Sequence, residues 1–435
     1  MHGASKVGEE DGDARSNRGG WGAWVLVIAV SCFFTASCSF GPRTLENTRL
    51  RYNEIIKTTT EEQLLLNIVR LRYNDSPSSL AVSVIAAQFE QQGSLQLIPF
   101  FTAAGGDIHI RNFTSVLPQV QWFAADRPTI TLTPMDDQDF SRRLFTQLPL
   151  EGILYLAKTT WPISTVFRLY LENLNWVSNA QTASGPAPAR PPEFADFLRG
   201  IQALQTLQDR GQVVFTQEER IERIGGPLAA DRVTATALVE AAKNDQEYRL
   251  DGSKHSWLLV KKVKQPILYF HPVVLNSPEM YTFTHAFHLV PGVSKYDLNV
   301  EALHPFPDAY APERITTIDM ETRSLLQVLY FVSQGVQVPP EHLERGLVRE
   351  TVSEDEPHSA FDWQQVLGGL FKVSSSGAKP ARARVAVRYR DYWFYIDETD
   401  QDTLTTFSLL LELSRLELSG QAKEGPVLTL PVGGR

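Results

Sequence analysis

Five carboxylates occupy positions where they could carry acid–base chemistry, because each follows a short run typical of a β-strand. They are Asp136, Asp137, Asp319, Asp397 and Asp400. Paired carboxylates supply the general acid and base of many hydrolases, which makes these residues the candidates for a carboxylate-dependent hydrolase. Each also precedes an apolar helical repeat, where an acid accepts the free backbone N–H groups of the first turn. The positions therefore predict helix caps, with hydrolysis as the alternative.

Histidines are the candidates for metal binding, and His271, His285, His288 and His304 lie in or beside segment 276–314. His285 and His288 are three positions apart and could share a metal on one helical turn. The alternation around them instead predicts a strand, which would place the two side chains on opposite faces. No carboxylate or cysteine stands at ligand spacing beside them, so neither a metal nor another cofactor is predicted.

Motifs of the common enzyme classes are missing from the sequence. It contains no Gly-Lys-Ser/Thr phosphate loop, no Gly-x-Ser-x-Gly elbow and no His-Glu-x-x-His. Ser376 and Lys379 have the spacing of penicillin-recognising enzymes, but they lie in a Ser/Gly/Pro turn region without a downstream Lys-Thr-Gly. That match is attributed to chance.

The N-terminal region carries the strongest chemical signal. Trp21 to Phe34 is 14 residues without a charge, which suits the apolar core of a signal peptide but is shorter than the ~20 residues of a membrane span. Thr35, Ala36 and Ser37 are small, and Cys38 follows them directly. This pattern resembles the lipobox of bacterial lipoproteins. The resemblance implies that a peptidase cleaves before Cys38 and that Cys38 carries the lipid.

The same resemblance bears on the destination of the chain. In a two-membraned bacterium, Ser39 beside the lipidated cysteine implies sorting to the outer membrane, whereas an Asp there would favour the inner membrane. Three acyl chains on Cys38 would exceed the two signals needed for stable anchoring. Residues 1–20 are not net basic as a signal peptide requires, which leaves an uncleaved N-terminal anchor as the alternative.

Composition excludes other classes. The chain has a formal net charge of −9 and no basic tract, which argues against nucleic acid as a partner. Its two cysteines are Cys32, inside the apolar stretch, and Cys38, so the mature protein has no cysteine for a disulfide or a thiolate nucleophile. At 43% hydrophobic residues it can bury a core without such links, in one large or two ordinary domains.

Hydrophobic spacing predicts an α+β fold with helices packed on mixed or antiparallel sheets. A helix is expected to begin at a capping box over Thr60–Gln63, and others are expected over 150–177 and 194–211. Segment 276–314 is expected to be irregular, and 384–418 to form a hairpin followed by a helix. The predicted strands are 80–85, 95–98, 108–110, 129–133, 213–215, 257–263 and 267–270.

The predicted domain organisation has five parts. These are a signal peptide at 1–37, a lipid tether and first helix at 38–59, an N-terminal α+β domain at 60–183, a Pro-rich loop or linker at 184–192, and a C-terminal α+β domain at 193–435.

Four segments carry a resemblance that covers most of the mature chain. They are Glu62-Gln-Leu-Leu-Leu-Asn-Ile-Val-Arg-Leu-Arg-Tyr73, Arg323-Ser-Leu-Leu-Gln-Val-Leu-Tyr-Phe-Val-Ser-Gln-Gly335, Val387-Arg-Tyr-Arg-Asp-Tyr-Trp-Phe-Tyr-Ile-Asp397 and Pro426-Val-Leu-Thr-Leu-Pro431. Together they resemble a family of uncharacterised bacterial envelope lipoproteins. The resemblance implies a shared fold and location, and no activity or site residue.

These observations lead to two functional hypotheses. The first is a non-catalytic lipoprotein of the outer membrane, facing the periplasm and offering a binding or scaffolding surface to envelope protein partners. The second is the carboxylate-dependent envelope hydrolase. A pore-forming protein is disfavoured because strong helices interrupt the strands throughout.

Overall fold

The protein has the predicted α+β fold in a computed structural model. The structure describes residues 40–77, 80–86, 89–103, 111–126, 129–134, 138–159, 161–229, 232–252, 256–299, 315–353, 359–418 and 428–431. Several sequence predictions lie outside these residues: the signal stretch with Cys38 and Ser39, the acids Asp136 and Asp137, the strand at 108–110, and His304.

The chain divides into two units, residues 1–60 and residues 61–435. The described part of the first unit is helical and belongs to α1, which runs from Phe40 to Arg72. The sheets that the structure describes all lie in the second unit.

Ten further helices follow α1 along the described chain. They are α2 (Gln138–Phe145), α3 (Leu150–Lys158), α4 (Ile163–Tyr170), α5 (Ala195–Asp209), α6 (Ala235–Lys243), α7 (Pro278–Ala286), α8 (Leu325–Ser333), α9 (Pro340–Glu344), α10 (Gln364–Leu367) and α11 (Gln401–Leu418).

The strands of the described residues form four sheets. They are β1 (Leu80–Ala86), β2 (Phe89–Ala103), β3 (Arg111–Asp126), β4 (Thr129–Pro134), β5 (Leu171–Leu174), β6 (Val177–Ser178), β7 (Val213–Ala229), β8 (Gln246–Leu250), β9 (Ser256–Phe270), β10 (Lys295–Asn299), β11 (Thr317–Thr322), β12 (Ser374–Ser376), β13 (Ala383–Tyr389), β14 (Tyr392–Asp397) and β15 (Leu428–Pro431). The small sheets have the orders β1-β4-β15, β12-β14-β13 and β2-β3.

The largest sheet has the order β6-β5-β11-β10-β9-β7, and β8 also pairs with β9. It is mixed, since β10 and β11 are parallel and the other pairs are antiparallel. β5 precedes the 184–192 segment and β11 follows it, so the two predicted domains share this sheet. Residues 184–192 contain no helix or strand.

One hydrophobic cluster runs through the second unit, from Leu64 at the end of α1 to Leu411 in α11. Its aromatic residues pack mostly edge to face, for example Phe197 against Phe287 with ring centroids 5.7 Å apart. This geometry suits the quadrupoles of two rings. The cluster therefore joins helices and sheets from both sides of 184–192.

The start of the second predicted helix was wrong. Thr60 lies inside α1, where its hydroxyl donates to the Ile56 carbonyl at 2.7 Å instead of capping a helix. Residues 171–174 form a strand although they were expected to extend a helix. β5 pairs with β11 there, and this long-range pairing overrides the local pattern.

Asp319 does not cap a helix as expected. It lies in β11, where its backbone N–H donates to the Asn175 side chain at 2.9 Å. The cap of α8 is Ser324, five positions later, which forms a capping box with Gln327. Asp400 does cap α11 as predicted, because its carboxylate accepts the Thr403 backbone N–H at 3.1 Å.

The strand expected around His285 and His288 was also wrong. His285 lies in α7, which begins at Pro278 behind a Ser277 cap, and His288 follows the helix with a φ of 55°. A serine cap followed by proline at the first helical position is a local start signal that outweighed the alternation.

The hairpin and helix predicted at 384–418 are confirmed as β13, β14 and α11. Arg390 and Asp391 form the turn with φ of 46° and 70°. Positive φ at both central positions gives a turn whose twist matches that of the paired strands.

Candidate functional site

A cleft of about 310 Å³ opens in the second unit between the C-terminal end of α1 and the segments around α8 and α10. We name it the Arg72 cleft. Its lining combines buried polar, apolar and charged side chains: Arg72, Gln334, Gly335, Val336, Gln337, Val338, Leu343, Glu350, Thr351, Ala360, Phe361, Asp362, Trp363, Gln364 and Lys372.

Several ordered segments position these residues. Arg72 is the last residue of α1, and Gln334 follows α8 directly. Gly335 lies close to the backbone at Phe371. A Cβ on Gly335 would stand 2.7 Å from the Phe371 carbonyl oxygen. Only glycine fits this wall without moving the backbone.

The guanidinium of Arg72 is buried with only part of its hydrogen-bonding capacity used. The residue is 6% exposed, and Nη1 donates to the Arg349 carbonyl at 3.3 Å. Its Nε is buried and has no hydrogen-bond partner among the described residues. Burial lowers the pKa of Arg72 to about 10, partly offset by Tyr73 and Glu350, so the group remains a cation at neutral pH.

Gln334 presents the opposite kind of unused group. It is 3% exposed, and its Nε2 makes long hydrogen bonds to the carbonyls of Tyr330 (3.4 Å) and Gly185 (3.5 Å). Its Oε1 is buried without a partner among the described residues. Leaving a buried polar atom unpaired costs about 1–3 kcal/mol, and both of these atoms are enclosed by protein with almost no accessible surface.

Aromatic side chains form one wall. Trp363 is largely buried and packs edge to face on Phe361, with centroids 5.3 Å apart and an angle of 87° between the rings. The Phe361 ring packs in turn on the Phe194 ring, and the two ring centroids are 6.3 Å apart. Val336 and Val338 extend the apolar surface, which can hold a nonpolar part of a ligand.

Charges along the lining balance. Arg72 and Lys372 carry positive charge, Glu350 and Asp362 carry negative charge, and all but Arg72 are exposed. The cleft therefore has no net charge to attract a strongly anionic or cationic ligand.

A buried arginine supports the inner side of the cleft. Arg323 is fully buried and donates to the Ser184 hydroxyl at 2.9 Å and to four backbone carbonyls, those of Arg168, Leu169, Leu171 and Asn179. Its guanidinium stacks 4.0 Å over the Phe331 ring. These bonds fix the loop at 179–185, whose Gly185 carbonyl accepts from Gln334. Burial lowers the pKa of Arg323 to about 9, and the nearby Glu172 opposes the shift.

The 184–192 segment also braces the cleft. The Thr351 hydroxyl donates to the Pro188 carbonyl at 2.7 Å, and the Val352 backbone N–H donates to the Ala189 carbonyl at 3.2 Å. These bonds hold the segment that carries Glu350 and Thr351.

A tyrosine–histidine pair lies beside the cleft in sequence. Tyr73 follows Arg72, and its hydroxyl is 2.7 Å from Nδ1 of His342, which precedes Leu343 of the lining. Both residues are buried, and Tyr389 packs on the Tyr73 ring at 5.2 Å. Burial raises the pKa of Tyr73, and burial followed by the charge of Arg345 lowers that of His342.

The described acids among those proposed for hydrolysis, Asp319, Asp397 and Asp400, are not gathered at the cleft. Asp319 lies in β11, Asp400 caps α11, and Asp397 forms a turn in which its Oδ1 accepts from the Thr399 N–H at 2.8 Å. That hydrogen bonding lowers the pKa of Asp397. Within the described ranges, no three His, Cys, Asp or Glu side chains come together as a metal site.

Sequence reasoning missed the residues of the cleft. The sequence analysis assigned no functional role to Arg72, Gln334 or Trp363. Gln334 lies at the end of the Arg323–Gly335 segment, but nothing in its type or spacing signals an unpaired oxygen. Of the helices in the described part of the chain, none is long and apolar enough to cross a membrane. No protein-family model, curated protein or solved structure matches the chain.

Proposed function

We propose that this protein is a lipid-anchored component of the bacterial envelope that binds a small ligand in the Arg72 cleft without chemically changing it. Lipid on Cys38 would hold it at the outer membrane facing the periplasm, where it serves an envelope assembly. The observation that carries the binding role is the cleft itself, about 310 Å³ in volume and lined by apolar rings together with side chains that can form hydrogen bonds. The lipobox-like sequence supports the location.

The balance of groups favours binding over catalysis. The cleft offers hydrogen-bonding groups and an aromatic wall, which fix and hold a ligand. The described acids that would serve a hydrolase instead occupy a strand, a turn and a helix cap.

The test is ligand-dependent thermal stabilisation of the purified full-length protein. The panel contains amino acids, blocked amino-acid amides, monosaccharides and nucleotides at millimolar concentration. A ligand that binds only the folded state raises Tm by mass action. We expect at least one class to raise Tm in the wild type and to be recovered unchanged.

Two tryptophan variants locate the effect. Ala360 is exposed and lines the cleft, so Ala360→Trp should fill the cleft, leave its buried polar groups in place and abolish the ligand-dependent shift. Ala378 is also exposed and lies outside the lining, so Ala378→Trp should retain the shift. Equal shifts in wild type and Ala360→Trp, no shift with any compound, or turnover of a panel member would each reject the proposal.

A further inference from the structure

Strand β7 forms one edge of the largest sheet. Among the described strands it is the last in the sheet order and pairs only with β9. Residues 219–223 pair with β9 without a bulge, and all five are exposed to solvent. An edge strand directs the backbone N–H and C=O of every second residue away from its sheet, where another strand can bind them.

The charges of this edge are arranged symmetrically about one apolar residue. The sequence of 219–223 is Glu-Arg-Ile-Glu-Arg, and Ile221 at its centre is 53% exposed. In an antiparallel pairing with a second copy of the strand, centred on Ile221, Glu219 lies opposite Arg223 of the second copy. Arg220 then lies opposite Glu222. Opposite charges placed directly across from each other stabilise an antiparallel pair.

The same charges oppose the neighbouring registers. Directly opposite residues direct their side chains to the same face, so each antiparallel register of two identical strands places one residue opposite its own copy. The positions on either side of Ile221 are all charged: Glu218, Glu219, Arg220, Glu222 and Arg223. A register centred on any of them would place a charge against an identical charge, which is destabilising. The edge therefore selects the register centred on Ile221.

Most of these charges remain unpaired within one copy. Glu219, Glu222 and Arg223 form no salt bridge with any described residue. Arg220 differs, since its guanidinium donates to both carboxylate oxygens of Asp297, at 2.5 and 2.7 Å. The pairing of Glu219 with Arg223 should therefore contribute more to association than the pairing of Arg220 with Glu222.

We propose that two copies of this chain associate edge to edge through β7, antiparallel, with Ile221 of one copy opposite Ile221 of the other. The arrangement has two-fold symmetry, so each ion pair occurs twice. The described lining of the Arg72 cleft includes no residue of β7, so this association goes beyond the proposed ligand binding and does not depend on it. The paired segment is short, and small interfaces give weak complexes.

Cysteine cross-linking of the purified full-length protein tests the register and captures a weak complex. The two Cα atoms at position 221 would lie about 4.5–5.5 Å apart, within the range that a disulfide requires. Ile221→Cys should therefore give a covalent dimer under mild oxidation. Gln217→Cys is the matched control, because position 217 is also exposed in β7 but would lie about 27 Å from its own copy along the strands. The wild type, with Cys32 and Cys38, gives the background.

Charge exchange tests the ion pair in the Ile221→Cys chain. Adding Glu219→Arg places like charges opposite each other and should lower the dimer yield about 5-fold. Adding Arg223→Glu as well restores opposite charges and should recover the yield. Positions 219 and 223 of one strand are about 13 Å apart, so the recovery reports a contact between copies and not a repaired fold.

Three outcomes would overturn the inference. They are no covalent dimer from Ile221→Cys, equal yields from Ile221→Cys and Gln217→Cys, and a triple variant that cross-links no better than the chain with Glu219→Arg. The cross-link requires no ligand. A failed ligand screen would therefore reject the binding role of the cleft and leave this association standing, and a failed cross-link would do the reverse.

Discussion

Arg323 shows how one residue can organise distant backbone segments. It is the largest fully buried side chain of the described chain, and its donors satisfy the Ser184 hydroxyl and four carbonyls. Arg323→Met would remove all of these bonds, and the Arg168 and Leu171 carbonyls would keep those from the Asn179 side chain. We expect the free energy of unfolding to fall by about 3–5 kcal/mol, measured by urea denaturation.

Two further variants test whether geometry or charge is responsible. Arg323→Lys retains the charge but not the planar fork of donors, so it should recover only a small part of the loss. Arg388→Met replaces an arginine whose side chain is 63% exposed and should change stability by less than about 0.5 kcal/mol. A loss at Arg323 no larger than that at Arg388 would contradict the role of the buried network.

His342 predicts a pH dependence of stability. Burial and then the charge of Arg345 lower its pKa in the folded protein, while a hydrogen bond with the Arg390 backbone and the charge of Glu341 act in the opposite direction. Below the unfolded pKa of about 6.5 the unfolded chain therefore binds more protons than the folded one. The contribution of His342 is complete above that pH and is lost as pH falls towards the folded pKa. The slope approaches about 1.4 kcal/mol per pH unit.

The measurement compares wild type with His342→Gln, which keeps an acceptor for the Tyr73 hydroxyl but does not titrate. Urea denaturation between about pH 8 and pH 5 should give a stability difference that shifts in favour of the variant as pH falls. Parallel curves would show that His342 titrates alike in both states. The control variant is His285→Gln, which replaces an exposed histidine of α7 in the same way.

At the residue scale the sequence could indicate donors and acceptors but not which of them stay unpaired. Asp400 caps α11 because the interaction spans three residues and is encoded locally. Arg72 and Gln334 lie 262 positions apart in the sequence and become one site only when α1 packs near the segment after α8. Nothing in the sequence at either position predicts that the two residues line the same cleft.

At the element scale, α5 and α7 pack closely through a glycine. Gly200 lies in α5, and a Cβ there would collide with the ring of the fully buried Phe287. We expect Gly200→Ala to lower the free energy of unfolding by about 1–3 kcal/mol, because the core at this contact has no space for a methyl group.

Gly152 is the matched control. It also lies in a helix, α3, but a Cβ there would meet no atom within 4 Å. Gly152→Ala should raise stability by about 0.5–1 kcal/mol through helix propensity. If both variants shift the denaturation midpoint in the same direction, the contact between α5 and α7 is looser than the structure indicates.

Elements were predictable where the local signals agreed. The hairpin β13–β14 has alternating apolar and polar residues on either side of a turn. α5 has apolar residues at helical spacing, and it ends just before Gly211, whose φ is 66°. Prediction failed where contacts with residues distant in the sequence determine the local structure. β5 is a strand because β11 pairs with it, and α1 continues through Thr60 although the sequence there has the pattern of a capping box.

At the scale of the whole molecule, the order of the large sheet could not be derived from the sequence. β5 and β11 are paired although more than 140 residues separate Leu174 from Met320. Such a pairing is specified by the fit of many side chains on both sheet faces, which no local pattern encodes. The mixed composition of strands and helices was nevertheless sufficient to predict the α+β class.

The last prediction concerns the anchoring of the whole molecule, which depends on residues outside the described part of the chain. Metabolic labelling with a palmitate analogue should mark the wild type and should be lost in Cys38→Ala, because Cys38 is the proposed lipid site. Cys32→Ala is the matched control, since the other cysteine lies in the apolar stretch that cleavage removes, and it should retain the label. In a two-membraned host, wild type should fractionate with the outer membrane and Ser39→Asp with the inner membrane. Label that is unchanged in Cys38→Ala, or absent from the wild type, would instead mean that the N-terminus is an ordinary signal peptide or an uncleaved anchor, and the binding role of the Arg72 cleft would then have to be tested in a different compartment.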